Sequence, residues 1–127
     1  MLEIGRKGAA TKVVDNSVSA KTLGSSPLEV FATPAMVALM EQAAWTSVAD
    51  ALDKGCGTVG ARLEVTHTAA TPMGMTVTAT AELIEIDGRR LVFRVSAEDQ
   101  CGLIGEGIHE RYIVDEAKFL AKTNAKM

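Results

Sequence analysis

The sequence predicts an α+β domain, with an antiparallel sheet of about five strands wrapped around one long central helix. Three observations carry that expectation. An apolar run with few polar interruptions extends from Pro34 to about Asp53 and is long enough for a helix that is covered on most sides. Four segments between Val59 and Val114 alternate apolar and polar residues with period two, as half-buried strands do. Tight turns such as Asp87-Gly88 join the later segments into an antiparallel meander.

Each element has its own justification. The segment around Lys12 to Asp15 is a weakly patterned first strand, followed by the turn-forming loop Leu23-Gly24-Ser25-Ser26-Pro27. Thr33-Pro34 starts the helix, since threonine caps free N–H groups and proline suits the first turn. The helix runs to about Ala51–Asp53 and ends at Lys54-Gly55-Cys56-Gly57, where glycine permits a left-handed cap. Val59, Ala61, Leu63, Val65 and His67 share one face of the next strand, opposite Gly60, Arg62, Glu64 and Thr66. Met75, Val77, Ala79, Ala81 and Leu83 line the core face of the following one, with Thr76, Thr78, Thr80 and Glu82 outside. After the Ile86–Arg89 turn, Leu91, Phe93, Val95 and Ala97 alternate with Val92, Arg94, Ser96 and Glu98. Asp99-Gln100-Cys101-Gly102 turns the chain into a last strand from Leu103 to Val114, and a short helix follows in the tail from Asp115.

Composition narrows the function classes. A chain of 127 residues is read as one domain, 1–127, with a sizeable core. Its residues are 47% hydrophobic but only 4% aromatic, so that core is built from small aliphatic side chains and methionine, Met36, Met40, Met73 and Met75 among them. A net charge of −3 without a basic run argues against a nucleic-acid surface. No segment resembles a signal peptide or a membrane span, and Cys56 and Cys101 lack metal-like spacing. The expectation is a cytoplasmic protein with two reduced thiols and neither metal nor cofactor. His109, beside Glu110 and Arg111, is read as part of a strand-edge ion pair.

Two side chains break the folding pattern. At about 100° per residue the helix neighbours of Glu41 are Val37, Ala38, Ala44, Trp45 and Val48, so a carboxylate lies on an apolar face. An unpaired buried carboxylate costs several kcal/mol and must be paired, protonated or employed. His67 is likewise in phase with core-facing residues, at the end of its strand. Together, an inward Glu and an inward His suggest general acid/base chemistry.

A strand, a buried helix and then four antiparallel strands is the element order of a hot-dog fold. The residues Val30-Phe31-Ala32-Thr33, Leu39-Met40-Glu41, Val65-Thr66-His67-Thr68-Ala69-Ala70-Thr71-Pro72 and Gly105-Glu106-Gly107-Ile108-His109-Glu110-Arg111 resemble hot-dog thioesterases of the fluoroacetyl-CoA thioesterase type. The resemblance covers roughly Phe31 to Val114. It implies hydrolysis of an acyl-CoA thioester by Thr33, Glu41 and His67, with Gly60, Phe31 and Arg111 as substrate-contacting residues. It departs before the helix, where such enzymes carry lid phenylalanines and this chain has Leu23-Gly24-Ser25-Ser26-Pro27, so the acyl group is left open.

Roles follow from the chemistry. Glu41 is the nucleophile or general base, His67 the proton shuttle, and Thr33 a hydroxyl at a helix start whose dipole favours developing negative charge. Taken alone, Thr33 is a helix cap. Arg111 either contacts CoA phosphate or orients a carboxylate. Eight residues of helix rise about 12 Å, so Thr33 and Glu41 of one chain do not reach one carbon. The expectation is a homodimer in which Thr33 of one subunit approaches Glu41 and His67 of the other. Two alternatives share the fold: a non-catalytic acyl-CoA-binding protein, and an enoyl-CoA hydratase or dehydratase.

Overall fold

Residues 1–127 are described in a computed structural model. The chain runs β1 (Lys7–Val13), a 3-10 turn (Asn16–Val18), the single helical turn α1 (Ala20–Leu23), α2 (Thr33–Val48), a second 3-10 turn (Ala49–Ala51), β2 (Cys56–His67), β3 (Thr76–Asp87), β4 (Arg90–Asp99), β5 (Gly102–Asp115) and α3 (Glu116–Asn124). The strands form one sheet in the order β1-β3-β4-β5-β2, and every neighbouring pair is antiparallel. This is the expected five-stranded sheet around one long helix. No helix is long and apolar enough to cross a membrane.

The period-two segments set the core. Val77, Ala79, Ala81 and Leu83 of β3, with Leu91, Phe93, Val95 and Ala97 of β4, meet Met36, Leu39, Met40, Ala43, Ala44 and Val48 of α2. The small side chains expected from composition let the helix lie close. A Cβ on Gly8 of β1 would overlap the Ala43 carbonyl oxygen and sit 2.8 Å from the Ser47 Cβ. One on Gly105 of β5 would lie 2.7 Å from the Met36 sulfur. The helix lies mainly over β1 and β3 and leaves the β5–β2 side less covered. Outside, Arg90 and Arg62 both bond Glu110, and Arg90 also bonds Glu85, so the polar phase of the strands is laced by ion pairs.

Two boundaries differ from expectation. The first strand is Lys7–Val13 rather than a segment around Lys12 to Asp15, because Gly8, Ala9 and Ala10 have little β propensity of their own and are held by pairing with β3. The helix tightens into the Ala49–Ala51 turn, and Gly55 adopts its left-handed φ of 84° in the connection to β2 instead of capping the helix. The Asp87-Gly88 hairpin forms as anticipated, with Asp87 opposite Arg90 and Gly88 at φ 61°. The tail forms α3, where the Asp115 side chain accepts from the Lys118 N–H.

The close approach at Gly8 gives a test. Gly8→Val should destabilise the fold by about 2 kcal/mol or more, the scale of an overpacked core, lowering Tm by roughly 5–10 °C. Ala9→Val, on the exposed face of the same strand, should stay within about 0.5 kcal/mol. Equal Tm values for the two variants would show that helix and sheet are not in this contact.

Candidate active site

The site is built at two places along α2. At its start, the backbone N–H groups of Phe31 and Ala32 donate to the carbonyls of Thr71 and Val18, at 2.9 Å each, and fix the entry to the helix. Phe31 is buried there. The N-cap residue is Ala32, which offers no side-chain cap, so Thr33 occupies the first turn with its hydroxyl free of that duty. Thr33 Oγ1 lies 2.7 Å from Nδ1 of His67. The strand end that carries His67 is held by Thr68, whose N–H donates to the Ile104 carbonyl at 2.7 Å.

Burial pushes the His67 imidazole below its ordinary value, against a smaller opposing effect of the Ala69 backbone, so the ring is neutral at pH 7. Its Nε2 is buried and has no hydrogen-bond partner. A cavity of about 300 Å³ opens beside Thr33 and His67, lined also by Ala20, Ser25, Ser26 and Phe31. The loop Leu23–Pro27 thus contributes two serines to this cavity.

Two turns further along, Glu41 meets the sheet. The unbroken alternation expected for β2 is interrupted by a bulge at Ala61, where pairing steps from Gly60 opposite Arg111 to Arg62 opposite Glu110. The extra residue reverses the phase. Leu63, Val65 and His67 face the helix side as expected, whereas Thr58 and Gly60, not Val59 and Ala61, face it on the other side of the bulge. A Cβ on Gly60 would sit 2.5 Å from Oε2 of Glu41 and 3.4 Å from Nη1 of Arg111.

The guanidinium of Arg111 organises this end. Its Nη1 donates to Oε2 of Glu41 at 3.1 Å and to Nε2 of His109 at 3.0 Å. Nε donates to the Thr58 hydroxyl at 2.8 Å, and Nη2 to the Thr58 carbonyl at 2.9 Å. Burial works against the charge of Arg111, and the Glu41 carboxylate opposes that effect. The Glu41 side chain is 36% exposed, so it is a half-exposed, ion-paired group rather than a carboxylate sunk in an apolar face. Of the two roles left open for Arg111, orienting a carboxylate is the one its contacts match.

His109 departs from expectation most. It is wholly buried rather than in a strand-edge ion pair, and it faces inward with Gly105, Gly107 and Arg111, while Glu110 points outward to Arg90 and Arg62. Thr58 carries no signal in the sequence, and His109 is read there only as an ion-pair residue. The available signal was the alternation Glu106, Ile108, Glu110 against Gly107, His109, Arg111, which places the histidine on the inner row. A second correction concerns the grouping. Thr33 and His67 meet within one chain, because β2 ends beside the start of α2, so His67 belongs with Thr33 and not with Glu41. Glu41 stays about 12 Å along the helix from Thr33, as its eight-residue spacing requires.

Comparison with known proteins bears on the family and the fold. Residues 13–117 match a family described as fluoroacetyl-CoA-specific thioesterase. A fluoroacetyl-CoA thioesterase from Streptantibioticus cattleyicolor is 53% identical over 98 residues, 77% of this chain and 70% of that protein. A solved fluoroacetyl-CoA thioesterase superposes with a TM-score of 0.93 at 44% identity, covering 100% of this chain and 98% of that one. Another structure of such an enzyme, a threonine-to-serine variant at 43% identity, TM-score 0.93 and 99% coverage of both chains, is in complex with acetyl-CoA. A hot-dog-like protein from Thermanaerovibrio acidaminovorans superposes at 28% identity and TM-score 0.89, covering 99% of this chain and 93% of that one. The fold is therefore a hot-dog fold.

The chain has two histidines, and both are displaced in the same direction. Burial lowers the His109 pKa as it does that of His67, with the Arg62 carbonyl opposing and Arg111 adding to the effect. A folded pKa below the unfolded value of 6.5 means that the unfolded chain takes up protons first. The stabilising contribution is thus complete above about pH 6.5 and is lost as pH falls through the folded midpoints. Both ring signals in an NMR titration should have midpoints below 6.5, and Tm should fall as pH is lowered from 7.5 towards 5.5. A midpoint above 6.5 for either ring would contradict its burial.

Proposed function

The chain belongs to the fluoroacetyl-CoA-specific thioesterase family, and we propose that it hydrolyses an acyl-CoA thioester to the free acid and coenzyme A at a site shared between two copies. The observation that carries this reading is the 2.7 Å approach of the Thr33 hydroxyl to a neutral His67, made by a threonine that does not cap its helix.

The chemistry follows from that contact. Neutral His67 accepts the Thr33 proton at Nδ1 as the hydroxyl oxygen bonds to the thioester carbon. Free N–H groups in the first turn of α2 and the helix dipole favour the oxyanion. The imidazolium returns the proton to the departing thiolate of coenzyme A, leaving an acyl ester on Thr33. Water, deprotonated by the same ring, then adds to the ester carbon, and the imidazolium returns the proton to Thr33 Oγ1 as its bond to the acyl carbon breaks and the acid leaves. With Nδ1 accepting from Thr33, Nε2 carries a hydrogen that has no acceptor in its own chain. Glu41 of a second copy is the carboxylate proposed to serve this Thr33–His67 pair, since that of the same chain lies two helical turns away.

The cavity bears on the acyl group. A space of about 300 Å³ with Ser25 and Ser26 in its wall has room beyond a two-carbon unit, and it favours short acyl groups larger than acetyl. A panel of short, branched and aryl acyl-CoAs, followed by thiol release, ranks them. Best turnover on acetyl or fluoroacetyl would contradict the reading of the cavity.

The shared site is tested by substitution and mixing. Glu41→Gln should fold normally and lose at least ~10² in turnover. Thr33→Ala mixed with Glu41→Ala under exchange conditions should recover activity, because a mixed dimer has one site with both lesions and one intact. Thr33→Ala mixed with His67→Ala should stay inactive, because those residues serve one site from one chain. Recovery in the second mixture, or a chain that stays monomeric at working concentration, would refute the arrangement.

A further inference from the structure

We propose that His109 is a positioning residue for the thioesterase reaction: its neutral imidazole holds the Arg111 guanidinium, and through it the Glu41 carboxylate, in the orientation the chemistry uses. The inference rests on the functional reading above and adds a residue that this reading does not employ.

The hydrogen-bond geometry assigns the tautomer. Nδ1 of His109 lies 2.9 Å from the carbonyl oxygen of Arg62, and a carbonyl only accepts, so Nδ1 carries the hydrogen. Nε2 of the neutral ring is then a lone pair, which accepts from Nη1 of Arg111 at 3.0 Å. That same Nη1 donates its other hydrogen to Glu41. One nitrogen thus ties the buried imidazole to the half-exposed carboxylate, and Thr58 holds the rest of the guanidinium plane. Gly60 leaves the space in which the three groups meet, since a Cβ there would lie 2.5 Å from Oε2 of Glu41 and 3.3 Å from Cε1 of His109.

The surroundings of His109 make its protonation state decisive. From α2 it faces Glu41, 3.9 Å away, and along β5 it faces Arg111. From β2 it meets the Arg62 carbonyl and pairs opposite Leu63, and from β4 it meets the ring of Phe93 at 6.3 Å. Glu110, the remaining nearby charge, is engaged by Arg90 and Arg62 on the outer face. Adding a proton to Nε2 would set a donor against a donor and a cation against Arg111. The guanidinium would have to turn, releasing Glu41. Neutral His109 is therefore a condition for the Glu41 orientation.

Two substitutions separate positioning from mere packing. His109→Leu fills the space but removes the acceptor, and kcat should fall at least tenfold with KM within about threefold. His109→Gln offers an N–H to Arg62 and a carbonyl to Arg111 without titrating, and it should restore most of that loss. In the wild type, the acid limb of log kcat/KM should follow two protons, one on His67 and one on His109. In His109→Gln it should follow one. An unchanged two-proton limb, or full kcat in His109→Leu, would overturn the proposal. A readout independent of turnover is the Nε–H signal of Arg111 in an NMR titration. It should move at the His109 midpoint in the wild type and not in His109→Gln. Absence of that movement would overturn the coupling, whereas its presence in a protein that hydrolyses no acyl-CoA would count against the thioesterase reading alone.

Discussion

Gly8 beneath Ala43 and Ser47, Gly105 beneath Met36, and Gly60 beneath Glu41 bring α2 down onto the sheet, because a methyl group at any of the three would crowd atoms of the helix. The rest of the core accommodates that separation with aliphatic side chains and methionine, and only Phe31 and Phe93 supply aromatic bulk. Close packing of this kind fixes side-chain positions to a fraction of an ångström, since dense interiors do not deform continuously. A carboxylate on the helix can then reach a guanidinium rooted in the sheet without either side chain stretching. The same closeness at the other end sets the Thr33 hydroxyl against a ring on β2. The site geometry is thus a consequence of how small the residues beneath the helix are.

Both ends give up stability to local chemistry. Helix α2 begins without a side-chain cap, although threonine one position from the N-cap is a residue type that caps well, and a missing cap costs about 0.5–2 kcal/mol. The hydroxyl is spent on His67 instead. At the far end a wholly buried imidazole and a nearly buried guanidinium occupy space that apolar residues would fill at no electrostatic cost. Arg111 donates to Thr58, Glu41 and His109, so the cluster is tied together by one guanidinium and opens to solvent at Glu41. Polar groups arranged at the expense of stability mark positions where folding logic has yielded to another requirement.

The sequence disclosed the sheet, the helix and the two odd side chains, because each left a periodic trace. Glu41 interrupted a 3.6-residue apolar stripe, and His67 extended a period-two row. What it concealed were features without period. The bulge at Ala61 inserts one residue and reverses the faces beyond it, so counting by twos misassigned Thr58 and Gly60. The first strand was displaced because Gly8, Ala9 and Ala10 form a strand only through pairing with β3. The reading of His109 as part of a strand-edge ion pair fails because Glu110 turns to the outer face while Arg111 meets the imidazole on the buried one. Partition of Thr33, Glu41 and His67 between the two ends needed the three-dimensional course of β2, which no spacing contains.

The incomplete features all lie on one side of the molecule. β2 is an edge strand of 12 residues with one row of backbone groups unpaired in the sheet. Trp45, 46% exposed, stands over Thr58 and Arg111 on that flank of α2. His67 at the end of β2, and the exposed side of Glu41 beside Gly60 of β2, belong to the same flank. A twofold axis there would impose reciprocity, each surface meeting its own copy in reverse. Reversal is what the two half-sites require, because it opposes the Thr33–His67 end of one helix to the Glu41 end of the other. An arrangement that merely covered apolar area could bury Trp45 in many orientations. Only one that reverses the helices also brings a Glu41 carboxylate to the Thr33–His67 end, so the chemistry constrains the proposed assembly more tightly than the apolar surface does.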